Sequence, residues 1–406
     1  MDRRFLRQLD WSLVTSTLAL GLIGVLMVFS ATSSPTDLRF DFATRQIIWL
    51  TLGIVAAVVA ASLPLRAYDG LAPYLYGLAL ILLLLVLVAG TEVFGARRWL
   101  GVGSFRFQPS EFAKLATILM LARVLDQKKL DLHHPRTWMK PALVALIPMA
   151  MVLRQPDLST SIAFGVILIA LLYWAGLSFR VIILGLLPFA NALVLLITNT
   201  VWAPAALVVG ALAWTRPRVP ALVLVLAVNT VVALGLPAAM DSLKPYQRGR
   251  IETFLNPGQD PYGAGYQIIQ SQIAIGSGGP FGRGYLSGRQ KSLQFLPQKH
   301  TDFIFSVVGE ELGFWGTGLT LCLYLVVLLR GLWIANTVRN NFAGLVAFGI
   351  TMLLFYHLMV NVLMTVGWAP VTGLPLPLLS YGGTAIVVTC IEIGLLANIS
   401  LRRQEY

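Results

Sequence analysis

Residues 11–31 read WSLVTSTLALGLIGVLMVFSA, a stretch without an ionisable side chain. A helix needs roughly 20 apolar residues to cross the hydrocarbon core of a bilayer, so this stretch predicts a transmembrane helix. The preceding MDRRFLRQLDW is basic, but no small-residue cleavage site follows the apolar run. The segment therefore reads as a retained first span, not a signal peptide. Similar windows recur at 46–63, 71–90, 109–125, 139–153, 158–175, 180–199, 203–214, 219–237, 303–330, 344–366 and 383–400, of which 203–214 is short. The predicted fold class is all-α: a polytopic transmembrane helical bundle of about 12 spans with one long outer loop.

Composition agrees. Of 406 residues, 57% are hydrophobic and 12% charged, about half the charge that a soluble domain carries. Cys322 and Cys390 both fall in apolar runs, which excludes a disulfide framework and structural zinc. The net charge of +12 lacks the aromatic-interleaved basic clusters of a nucleic-acid surface, so no nucleic-acid partner is expected. It reads instead as membrane topology. Arg3, Arg4, Arg7, Lys128, Lys129 and Arg402 fall on one side of the predicted bundle, which places both termini in the cytoplasm.

The segment 238–302 is the long extracytoplasmic loop and the predicted working surface. It lacks a strongly periodic element, although the short amphipathic stretch from Tyr266 to Ile275 argues for order. Its glycine-rich piece GSGGPFGRG (276–284) fits neither GxGxxG nor GxxxxGK[ST], so no nucleotide is expected. Tight turns, or a backbone nest for a lipid diphosphate, remain as readings of that piece.

Charges within spans cost about 2.5–3.5 kcal/mol each on insertion scales, so each requires a reason. Glu111 and Lys114 stand three apart on one helical face, where they can neutralise one another; they read either as an anchor or as the lining of a polar cavity. Arg154-Gln155-Pro156-Asp157 marks an outer turn in which Arg154 can meet a phosphate or Asp157. Lys299, His300 and Asp302 gather proton-bearing or cationic groups where the long loop enters the next span. Asp302 there is either a helix cap or an acid–base group. Glu392 sits mid-span with no partner evident in the sequence.

These residues carry a family resemblance. QPSEFAKL (108–115), RQPDLST (154–160), PYQRGRI (245–251), DPYGAGYQIIQSQIAIGSGG (260–279), FGRGY (281–285), LQFLPQKHTDFIFSVVGEELG (293–313) and GLPLPLLSYGGT (373–384) resemble the signatures of the RodA/FtsW (SEDS) family. They are more like its elongation branch than its division branch. The resemblance implies one membrane domain over 1–406 acting as a peptidoglycan glycosyltransferase, which polymerises lipid II on the outer face of the bacterial cytoplasmic (inner) membrane. It also implies a class B penicillin-binding protein as partner, supplying transpeptidation.

The family's essential acid of the HTDF motif falls on Asp302, and its Glu/Lys pair on Glu111 and Lys114. Family members usually have ten spans. Here WAPAALVVGALAWTRPRVPALVLVLAVNTVVALGLP adds a transmembrane hairpin at 203–237, with Arg216 and Arg218 at its turn. The implied reaction is an inverting displacement at a sugar C1 with undecaprenyl diphosphate leaving. Asp302 acts in it as general base or as ligand of a divalent cation, magnesium or manganese. Arg154, Arg248 and Arg250 are the candidate diphosphate contacts, because a guanidinium fork matches phosphate oxygens. A lipid II flippase and a non-catalytic scaffold for the penicillin-binding protein are the other two readings.

Overall fold

The computed structural model describes all residues except 1–8, 34–37, 94–95, 103–104, 127–134, 199, 201, 243–248, 250–252, 255–264, 290–298 and 404–406. Each predicted span folds as a helix: α1 (Trp11–Thr32), α2 (Asp41–Ser62), α3 (Leu65–Ala89), α4 (Pro109–Leu125), α5 (Met139–Leu153) and α6 (Leu158–Trp174). These are followed by α7 (Phe179–Thr198), α8 (Trp202–Thr215), α9 (Val219–Ser242), α11 (Ile304–Thr337), α12 (Asn341–Thr365) and α13 (Gly383–Leu401). A helix satisfies its own backbone groups, which is why such segments can enter hydrocarbon at all.

Within the long loop, the amphipathic stretch that argues for order is a helix, α10 (Tyr266–Gly278), and α9 runs on through Ser242, past the predicted end of its span at 237. The outer segment between α3 and α4 folds as a small antiparallel sheet, with β1 (Thr91–Val93) on β2 (Ala96–Val102) and β2 on β3 (Phe105–Phe107). The chain also divides into two compact units, Met1–Ala175 with Tyr266–Tyr406, and Gly176–Gly265.

In the first unit, small residues let helices approach closely, as packing in lipid requires. A Cβ on Gly394 of α13 would stand 2.4 Å from the Ala57 carbonyl of α2, and one on Gly53 of α2 would meet Cys390 Sγ at 2.8 Å. Ala79, Leu83, Ala113, Ala116, Val152 and Phe164 fill the space between α3, α4, α5 and α6. Caps fix several starts. Asp10 accepts from Leu13 N at 3.2 Å while pairing with Arg330 at 2.6 Å, and Asn340 accepts from Ala343 N at 2.9 Å.

Helix α11 breaks its ladder at Gly313 (φ 65, ψ −160). The segment after α10 docks onto that kink. Arg283 N and Gly284 N donate to the Glu310 and Glu311 carbonyls at 3.0 and 3.1 Å, and Phe314 N donates to Gly279 O at 2.9 Å. A side chain at Gly313 would strike Gly282 N, so the approach itself demands glycine. The Glu310 and Glu311 carboxylates, both buried, accept from Arg289 N at 2.6 Å and from Ser30 Oγ at 2.6 Å.

The second unit holds α7, α8 and α9. Asn191 Nδ2 of α7 donates to the Asn229 carbonyl of α9 at 3.2 Å. Most of the remaining surface of this unit is apolar and exposed.

Candidate active site

The HTDF motif forms the turn leading into α11, and α12 together with the loop between α12 and α13 grips it through its backbone. Three consecutive carbonyls are taken in order. His300 O accepts from Tyr381 N at 2.9 Å, Thr301 O from Ser380 Oγ at 2.6 Å, and Asp302 O from Asn361 Nδ2 at 3.0 Å. The gripping groups are themselves tied down. Asn361 Nδ2 also donates to Leu374 O at 2.8 Å, Ser380 Oγ accepts from Leu376 N at 2.8 Å, and Gln46 of α2 donates to Ser380 O at 3.3 Å.

Because the grip is on carbonyls, it does not use the side chains of the turn. Lys299, His300 and Asp302 are all half-buried. A Cβ on Gly373 would lie 3.4 Å from Asp302 Oδ2, so the carboxylate rests against a position with no side chain. The His300 ring lies 4.8 Å from Phe42 and 5.8 Å from Tyr381, centroid to centroid. Burial, with the neighbouring Lys299 ammonium, holds its pKa below the usual 6.5. His300 is thus a neutral hydrogen-bonding group at pH 7.

Glu111 and Lys114 do meet, with Nζ 2.7 Å from Glu111 Oε1. Lys114 is fully buried and Glu111 nearly so. Nζ also lies 2.8 Å from His357 Nε2 on α12, and Glu392 of α13 is within electrostatic reach of both members of the pair. Of the two, Lys114 is the opposite charge to Glu392, whereas Glu111 is a like charge. His357 and Asn361 are one turn apart on α12, so one face of that helix touches both the buried pair and the acid-bearing turn.

Asp157 is not the partner of Arg154. It caps α6, accepting from Thr160 N at 3.3 Å, and pairs with Arg98 of β2 at 3.7 Å. The Arg98 fork also donates to the Pro156 carbonyl. Arg154 ends α5 with its side chain exposed. Arg248 and Arg250 lie outside the described residues. Sequence reasoning missed Arg98 and Asn361. The signal for Asn361 was present: an amide within an apolar window needs a partner.

Among the described residues, no three His, Cys, Asp or Glu side chains gather at one point. Asp302 offers one carboxylate. That suits a cation such as magnesium, which keeps most of its ligands from water and phosphate.

A family model described as "Cell cycle protein" (FTSW_RODA_SPOVE) matches residues 10–218 and 200–405. The chain is 38% identical to the peptidoglycan glycosyltransferase MrdB of Escherichia coli K12, over 98% of this chain and 94% of that protein. It is 35% identical to the peptidoglycan glycosyltransferase RodA of Treponema pallidum, over 99% of this chain and all of that protein. Among solved structures, a chain from a peptidoglycan synthase complex that coordinates polymerization and crosslinking superposes with a TM-score of 0.74 at 33% identity, covering 98% of this chain and 99% of that one. The rod shape determining protein RodA of Thermus thermophilus superposes with a TM-score of 0.65 at 28% identity, covering 98% of each chain.

Proposed function

The chain belongs to the FtsW/RodA/SpoVE family of cell cycle proteins, and from that premise we propose that it is a peptidoglycan glycosyltransferase of the multi-pass inner-membrane type, polymerising lipid II on the outer face for cell elongation. The observation that carries this reading is the gripped turn that presents Asp302 against Gly373, in a chain similar over almost its whole length to proteins named for that activity.

In the reaction, the C4 hydroxyl of one sugar attacks C1 of another. The bond from C1 to the diphosphate oxygen breaks, and undecaprenyl diphosphate leaves with the electron pair. Asp302 takes the hydroxyl proton as general base, or it supplies one carboxylate to a divalent cation on the diphosphate. Such a cation, when bound, neutralises charge developing on the leaving group. Lys299 offers an ammonium to the diphosphate, and His300 offers a neutral donor. Arg154, Arg248 and Arg250 are the guanidinium candidates for the same anion. Asp157 acts indirectly, holding Arg98 and the first turn of α6. Glu111 and Lys114 serve as a buried pair that braces α4 against α12.

Both termini are cytoplasmic in this arrangement, and α8 with α9 is an added hairpin that takes no part in the chemistry. Parity supports this, because two extra crossings keep Asp302 on the side of the assembled substrate. A class B penicillin-binding protein is the partner, a reading supported by the similarity to a chain of the synthase complex.

Purified protein reconstituted with its partner and lipid II tests the function directly. Long uncrosslinked glycan strands under transpeptidase inhibition are the expected product. Transfer of lipid II between leaflets without polymer identifies a flippase instead, and neither product identifies a scaffold.

A further inference from the structure

Helix α12 is mostly buried within the protein, and a bilayer does not require polar side chains there. Asn361 is nevertheless polar and fully buried. Its amide nitrogen is shared between two carbonyls, those of Asp302 and Leu374, so the orientation of the amide is decided: an oxygen in that place would face two other oxygens. The amide oxygen is then turned elsewhere and, among the described residues, has no hydrogen-bond partner. Leaving a buried carbonyl unsatisfied is costly, so the two donated bonds must matter to the fold or to the site.

Ser380 poses the same question. It is 2% exposed, and its hydroxyl accepts from Leu376 N while donating to Thr301 O, so both hydrogen-bonding directions are committed. The two side chains come from different elements, α12 and the loop after it, and converge on adjacent carbonyls of one turn. The third carbonyl, His300 O, is held by the Tyr381 backbone N–H, which no side-chain substitution other than proline removes.

We propose that Asn361 and Ser380 are positioning residues for the Asp302 carboxylate: they hold the backbone of its turn in register against Gly373 and so set where the carboxylate meets the acceptor sugar. This rests on the assignment of Asp302 to the chemistry. A carboxylate on an ungripped turn still binds substrate nearby but reaches the reactive geometry less often. The loss therefore falls on turnover, and a displacement of about 1 Å suffices for a loss of up to about 10²-fold.

The test uses the full chain with its partner, measuring kcat and KM for lipid II polymerisation beside thermal unfolding in the same detergent. Asn361→Leu and Ser380→Ala each lower kcat by about 10- to 100-fold, with KM within about threefold of the parent. Ser380→Thr, which keeps the hydroxyl, recovers most of the rate. If Asn361→Leu does not fold, Ser380→Ala and Ser380→Thr decide the matter alone.

A kcat within about twofold of the parent in the folded Ala and Leu variants overturns the proposal, as does a loss that appears in KM or that tracks the folded fraction. Asp302→Asn in the same assay separates the two levels. An active Asp302→Asn enzyme removes the premise, whereas an inactive one beside fully active Asn361→Leu and Ser380→Ala enzymes removes only the positioning role.

Discussion

Helices α12 and α13 of the first unit and helices α7 and α9 of the second are alike in hydropathy and opposite in burial. Their most apolar windows average 2.0 and 1.9 in the first unit against 2.5 and 2.4 in the second, yet 72% and 83% of the former are buried within the protein against 11% of each of the latter. Hydropathy selects what enters a membrane; it does not say which helix faces lipid. The distinguishing mark is polar: His357, Asn361, Glu392 and Asn398 are buried in α12 and α13, whereas Asn229 is the one buried polar side chain among the described residues of α9. Polar groups in spans are expensive, and in this chain they concentrate where other elements can satisfy them.

If the polarity of the first unit serves chemistry, its sharpest test is Asp302→Asn. The substitution keeps shape and removes the proton-accepting charge, so polymerisation falls by about 10²–10⁴-fold while the protein remains folded and bound to its partner. Near-parental polymer synthesis would leave that polarity without the purpose assigned to it.

Next in size is the buried pair. Glu111→Gln or Lys114→Met strands the other charge within a span, at a cost of about 3–5 kcal/mol, while the double substitution costs clearly less than the sum. Denaturation in detergent through a double-mutant cycle measures the coupling, and simple additivity would mean that the pair is not coupled.

The second unit is expected to tolerate far more. Excising Trp202 to Leu236 lowers polymerisation by less than about tenfold, and abolition of activity in a folded deletion variant would erase the functional contrast between the units. The side on which the hairpin turns can be read by labelling. Thr215 at the turn is buried and unsuitable, but Arg218 is exposed, and Arg218→Cys reacts only with reagents that enter the cytoplasm.

The smallest effect concerns His300. Its folded pKa lies below 6.5, so the unfolded chain takes up the proton first. Its contribution to stability is whole above pH 6.5 and is lost as pH falls from there through the lowered folded value. Melting temperature followed across that acid range should fall less steeply in His300→Asn than in the parent. An unchanged slope would mean that the ring is not held in the buried setting described.

The spans were legible because the signal is continuous and local, although their ends were not. The second and third windows opened at 46 and 71, whereas the helices open at Asp41 and Leu65. Asp41, Arg45, Arg66 and Asp69 interrupt hydropathy without interrupting backbone hydrogen bonding. Likewise α11 passes Arg330 and continues to Thr337, because that guanidinium reaches Asp10 at the helix end. The outer sheet at 91–107 went unread, since strands this short carry little periodic signal.

By itself the sequence determined the all-helical membrane architecture, the candidate acid at Asp302 and the i,i+3 pair of Glu111 with Lys114. Each of these depends on residues close together in the chain: apolar length against bilayer thickness, the content of a motif, or the pitch of one helix. The tertiary structure alone decided that Asp157 pairs with Arg98, that Lys114 reaches His357, and that Asn361 and Ser380 hold the carbonyls beside Asp302. Those contacts join segments tens to hundreds of residues apart, and a hydrogen bond acts only over the last few ångströms. Helix packing brings the partners within that range, and no local pattern in the chain encodes which partners they are.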